Sequence, residues 1–249
     1  MHHKTIYYLV SGNGGVLSMK KKISAIIALT LGLILVGGQP VAGISIGTSD
    51  NKISFTPGDL IVSPPVNPLD PENPNPTLPI DPVDPGNPGT GQPGPLSVDY
   101  VSNLKFGVNK ISGKNINYKV LNPNPFVQVT DLRGDGDGWT LSAKMSLFTS
   151  SKQQVLKGAT LNMKNSVVKA GSTGNVSLAP VKSDVVFDNL ESKVVLSAKN
   201  KSGRGTWLNV WSGTDQANEA IQLNVLAGTP EANTEYSSTI TWELEDAPK

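Results

Sequence analysis

The stretch from Trp139 to Leu147 alternates apolar and polar residues without a break. Trp139, Leu141, Ala143, Met145 and Leu147 fall on one side, and Thr140, Ser142, Lys144 and Ser146 on the other. A two-residue period separates the faces of an extended chain, so this stretch is a strand with one buried face. A near copy closes the chain. There Tyr236, Ser238, Ile240, Trp242 and Leu244 alternate with Ser237, Thr239, Thr241, Glu243 and Glu245. Both strands carry Trp-x-Leu, which puts Trp and Leu on the same face in each. Such strands must find partners. From Leu96 onward short alternating runs recur, including 96–100, 104–106, 116–120, 126–129, 159–163, 176–178, 194–198, 207–211 and 221–225. Turn-rich segments such as Gly134-Asp-Gly-Asp-Gly138 and Ser202-Gly-Arg-Gly205 separate them. This spacing predicts an all-β domain over 96–249, an antiparallel sandwich or a barrel-like closure. The only helical signal is a single turn at Asn218 to Gln222.

Upstream the composition is different. Residues 44–95 read as a disordered, proline-rich linker, with Pro64, Pro65, Pro68, Pro71, Pro74, Pro76, Pro79, Pro82, Pro85 and Pro88 in close succession. Proline donates no backbone hydrogen bond and fits neither a helix interior nor a central strand, so the run favours polyproline II. Its Asp and Asn residues are expected to keep it solvated. No aromatic residue lies between Phe55 and Tyr100, so the run has no platform for stacking on sugars. Residues 1–43 read as a signal-peptide region, with either Met19 as the true start or a signal extended upstream of it. Lys20, Lys21 and Lys22 precede the apolar run Ile23 to Val36, and Pro40-Val-Ala-Gly43 offers small residues for cleavage. The run is short for a membrane span, and none is expected after cleavage.

Composition excludes several chemistries. There is no Cys, and the only two His are His2 and His3. The domain therefore has no His-based acid–base catalysis, no Ser-His-Asp triad, no Cys nucleophile and no His or Cys metal site. Asp131 and Asp188 remain as carboxylates for glycosidase chemistry, but no spacing pairs them, and the chain is read as a non-enzyme with no cofactor. Asp131 to Gly138 resembles a calcium loop, yet Ser142 stands where the closing Glu would be needed, and a tight turn needs the same residues. A formal net charge of +1 leaves no basic surface for nucleic acid. Trp139 and Trp242 share their faces with aliphatic residues and are expected in the core. Trp207 and Trp211, flanking Asn209 on one face, are the candidates for ligand stacking.

At Trp139-Thr-Leu141 and Trp242-Glu-Leu244 the chain resembles the WxL family of Gram-positive surface proteins. The likeness continues through Asp99 to Gly107, Phe126 to Gly134 with Gly138 to Ala143, Gly205-Thr-Trp207, and Thr239 to Pro248. The resemblance implies a secreted protein at the cell surface, attached non-covalently to the wall through peptidoglycan. It also implies co-operation with surface proteins of the same gene clusters, and it makes Trp139, Leu141, Trp242 and Leu244 a motif of structural or wall-binding role. The turn before Trp139 is richer in Asp than the family pattern. With no Cys after the leader and no apolar tail after the last strand, non-covalent attachment is the expectation from the residues as well. The rival readings are a surface interaction protein that binds a partner surface protein or host matrix, and a carbohydrate-active enzyme.

Overall fold

The computed structural model describes residues 47–73 and 80–247. The leader region read over 1–43 lies outside the described residues, as do the prolines at 74, 76 and 79. The chain divides into two units, 1–53 and 54–249. Described residues 47–53 of the first carry no helix or strand.

The second unit is all-β. Its strands are β1 (Leu96–Val101), β2 (Ile116–Val120), β3 (Phe126–Asp131), β4 (Trp139–Met145), β5 (Thr160–Met163), β6 (Val167–Ala170), β7 (Val181–Lys182), β8 (Val185–Phe187), β9 (Lys193–Ala198), β10 (Gly205–Val210), β11 (Asn218–Val225) and β12 (Ile240–Glu245). They form three four-stranded sheets, ordered β1-β3-β10-β6, β2-β11-β5-β8 and β12-β4-β9-β7. Every pairing between these strands is antiparallel, and an isolated parallel bridge joins Leu178 to Ser202. The sheets share one apolar core, as in a sandwich. Val127 and Val129 come from the first sheet, Leu161, Phe187, Ile221 and Leu223 from the second, and Trp139, Leu141 and Leu196 from the third. Burial of each such side chain contributes roughly 1.5–3 kcal/mol, so the shared core is the main favourable term.

The alternation at Trp139 became β4 and the runs at 96–100 and 116–120 became β1 and β2, whereas the closing strand, expected from Tyr236, starts only at Ile240. Leu104 and Phe106 pack on the core from a loop, and Val176 is 98% exposed. β6, β7 and β8 are too short to show a period. The expected helical turn at 218–222 is instead the start of β11, bulged between Asn218 and Gln222. The Asn218 side chain replaces the ladder bonds lost there. Its Nδ2 donates to the Trp211, Asn122 and Pro123 carbonyls (2.7, 3.1 and 3.1 Å), and its Oδ1 accepts from Ala220 N (2.9 Å).

The proline-rich segment departs from the free tether expected of it. All six residues of β3 are buried, because the sheet is covered on both faces. Val127 and Val129 face the shared core. On the other side Tyr100 stacks on Phe126 with centroids 4.4 Å apart, and Leu208 and Val210 complete a second apolar cluster under Val66 and Ile80. Gln128 holds the segment much as a neighbouring strand would. Its Oε1 accepts from Val66 N (2.9 Å) and its Nε2 donates to the Pro64 carbonyl (3.0 Å). The residues expected to solvate the run act as anchors. Asp81, 4% exposed, accepts from Asn122 Nδ2 at 2.7 Å, Asp84 accepts from Asn103 Nδ2 at 2.6 Å, and Glu72 accepts from Thr173 Oγ1 at 2.9 Å. The Lys169 ammonium donates to the Pro68 carbonyl (2.7 Å) and Thr90 N to the Asp99 carbonyl (2.9 Å). Proline deprives the segment of donors for a ladder, so side chains of the sheet supply the bonds.

Beneath this strap lies Asp99, 1% exposed, which accepts from Ser97 Oγ (2.6 Å), Thr130 Oγ1 (2.6 Å) and Gln128 Nε2 (2.9 Å). Burial pushes its carboxyl above the ordinary 3.8 despite these donors. A raised carboxyl favours folding most below its unfolded value, and that contribution disappears as pH rises through the folded value. Exposed Asp135 has the opposite sign, drawn below 3.8 first by the Asp137 backbone N–H. Carbon-detected NMR titration should give Asp99 a midpoint above 3.8 and Asp135 one below it. Substitution of Gln128 by Ala should cost about 1–3 kcal/mol, since it strips partners from buried groups. It should also speed proteolytic cleavage between residues 58 and 73, read against the wild-type rate.

Candidate functional site

The two Trp-x-Leu tripeptides lie side by side. β4 pairs with β12 so that Leu141 stands opposite Leu244 and Trp242 opposite Ala143. On its other edge β4 pairs with β9, which sets Leu141 opposite Leu196 and Trp139 opposite Ala198. Each Trp thus faces an Ala across the ladder, so a large ring fills the space above a small neighbour. The two motifs are not equivalent. Trp139 is fully buried, and its Nε1 donates to the Gly203 carbonyl at 3.1 Å. Trp242 is half-buried on the edge strand, as are Ile240 and Leu244. It lines a shallow crevice with Leu104, Phe126, Met163 and Trp211.

Two glycines make room for Trp139. Gly138 has φ +84°, and a Cβ there would sit 2.3 Å from the Ala198 carbonyl oxygen. Gly203 has φ +74°, and its Cβ would meet Trp139 Nε1 at 2.7 Å. The loop before Trp139 is tied by Arg133, a residue the sequence reading did not single out. Arg133 Nε and Nη2 grip both oxygens of Asp131 (3.0 and 2.9 Å), Nη2 also reaches the Gly138 carbonyl (2.8 Å), and the guanidinium pairs with Asp246 just after β12. One side chain therefore joins the ends of β3, β4 and β12, and such a bidentate fork is geometrically selective. It also uses up the Asp131 carboxylate, the first residue of the calcium-like loop. Asp188 lies elsewhere, 3.9 Å from Lys193. An Arg followed by a Gly-Asp turn was the available signal, but nothing in sequence order announces that Asp246 meets it.

The expected stacking pair is not at the surface. Trp207 and Trp211 are 5% and 1% exposed, with Asn209 between them at 0%. Trp207 Nε1 donates to the Arg204 carbonyl at 2.9 Å. Neither ring offers a face to a ligand, because Trp207 and Asn209 stand opposite Val129 and Val127 on the core-facing side of β10, and Trp211, just past the strand, packs in the same core.

A large concavity lies instead on the outer face of the sheet containing β2, β11 and β5. This open groove of about 720 Å³ is floored by Asn117, Lys119, Asn162 and Gln222 and rimmed by Lys164, Asn165 and the 212–217 loop. Gln222 stands opposite Lys119 on one side and Asn162 on the other, a polar row across three strands. These residues alternate with core residues on their strands, so the period that marks the core also marks the groove.

Trp139→Ala should cost about 3–5 kcal/mol, the range for emptying a filled aromatic site. Trp242→Ala should cost clearly less, since part of its ring already meets water. Gly138→Ala should destabilise although it adds a single methyl, because both φ and the 2.3 Å approach oppose it. Denaturant unfolding of the three variants against wild type measures this order.

No curated protein and no solved structure matches the chain. A family model described as WxL domain surface cell wall-binding matches residues 44–248. That span takes in the proline-rich strap, the Arg133 loop and both Trp-x-Leu strands, and the family is one of wall binding rather than of enzymes. The chain belongs to the WxL domain surface cell wall-binding family.

Proposed function

We propose that this protein is exported by its leader over residues 1–43 and held non-covalently on the outside of the wall by peptidoglycan. The observation that supports this most is the family match over 44–248, which includes both Trp-x-Leu strands at their full paired length. Physical considerations agree with a binder. The mature chain has no His or Cys, and its half-buried Trp242 and wholly buried Trp139 serve packing before anything else. In this reading the Trp-x-Leu pair sets the register of the sheet, and the wall is met on another face.

Full-length protein mixed with purified, protein-free sacculi should sediment with them and be released by high salt or denaturant without any lytic enzyme. Protein that stays in the supernatant, or that releases reducing sugar from the sacculi, would sink the proposal. Amino-terminal sequencing of the exported form should begin near Ile44.

A further inference from the structure

We infer that the polar groove across β2, β11 and β5 binds the peptide part of the wall polymer, a short stem peptide bearing a free carboxylate, rather than its sugar backbone. The inference rests on the wall-binding reading above. Pockets for small apolar ligands are lined mainly by hydrophobic and aromatic side chains. This groove, about 720 Å³, has no aromatic residue in its lining, so a sugar ring finds no face to stack on. It offers amides and charges instead. Gln222 lies in register between Lys119 and Asn162, and strands about 4.8 Å apart carry that row roughly 10 Å across the sheet. An extended peptide presents its own amide donors and acceptors at comparable spacing, so Asn and Gln side chains can serve both.

Charge decides the polarity of the ligand. Lys119 and Glu219 form an ion pair and offset each other. Among the described residues Lys164 has no acidic partner, and the Asn162 and Asn165 side-chain amides make no hydrogen bond, whereas Gln222 Nε2 already donates to the Glu219 carbonyl at 3.1 Å. Among the side chains that line the groove, Lys119, Lys164 and Glu219 leave one positive charge beside two uncommitted amides, while Asp184, which accepts from Asn165 N at 2.9 Å, and Asp215 of the 212–217 loop stand outside that lining. That combination suits a carboxylate with neighbouring peptide groups, and it makes binding sensitive to salt. Lys119 and Glu219, held together, are also placed to exchange their mutual contact for the carboxylate and ammonium of a zwitterionic peptide.

The test uses the full chain labelled with nitrogen-15. A wall-type pentapeptide with a free C-terminal carboxylate should shift the amide resonances of Asn162, Lys164 and Gln222, whereas an N-acetylglucosamine oligomer should not. The double variant Asn162→Ala, Lys164→Ala should weaken the peptide at least tenfold while its thermal melt overlays wild type, and Lys164→Glu should weaken it further. Intact sacculi should retain the protein, and sacculi stripped of peptide by an amidase should not. If the pentapeptide leaves these resonances unmoved, or the double variant binds it like wild type, the inference fails. Retention of the variant on intact sacculi would move the site elsewhere and leave wall attachment standing. Failure of wild type to sediment would remove wall attachment, with the peptide titration still deciding the groove.

Discussion

The register in which Leu141 meets Leu244 fixes the arrangement of the third sheet. Side chains alternate along a strand, so a slip of one residue would turn Trp242 and Leu244 outward and bring Glu243 to the core. Ala143 and Ala198 leave just the space that the two rings occupy, and Gly138 and Gly203 let the backbone pass close to Trp139. Arg133 adds a check from outside the ladder, since Asp246 reaches it when β12 is in register. The repeated tripeptide is thus a matched pair, one half sealed in the core and the other half at the rim.

Much of this was legible in the residues. The unbroken alternation over Trp139 to Leu147 located the strand, which runs over Trp139–Met145, but not its cover: Leu147 is 51% exposed, and Thr140 and Ser142 on the expected polar face are buried as well. β6, β7 and β8 escaped notice because two to four residues carry no measurable period. The exposed pair read at Trp207 and Trp211 failed for a related reason. Periodicity says that two side chains share a face, but it does not say which face is covered, and β10 lies inside its sheet with cover on both sides. The groove was hidden because Lys119, Asn162 and Gln222 come from three strands that only topology brings together.

The strap was misread for a different physical reason. Proline content argues that a segment forms no extended ladder of its own, and among the described residues this one forms only an isolated bridge between Val62 and Pro93. It does not follow that the segment is free. Carbonyls remain available, and Gln128, Lys169 and Asn122 reach out from the sheet to use them or the carboxylates between them. A buried Gln in a strand that otherwise reads as apolar was the one visible hint that something polar covers that face.

The order of these anchors matters when the protein is pulled. Gly58 on Leu132, Val66 on Gln128, Pro68 on Lys169, Glu72 on Thr173, Asp81 on Asn122 and Thr90 on Asp99 follow one another along the strap. Force applied from its amino-terminal end loads them one after another, and each resists with a net of only about 0.5–1.5 kcal/mol. The strap therefore peels. Strands β4 and β12, whose paired bonds and buried rings share a load, stay together meanwhile. At ~3.1 Å per residue the released segment has an extended length on the order of 100 Å, and it gains the part of this that exceeds its span on the sheet. A pull on that end is thus answered first by added length, at the low force that single hydrogen bonds hold, while β4 and β12 keep their pairing.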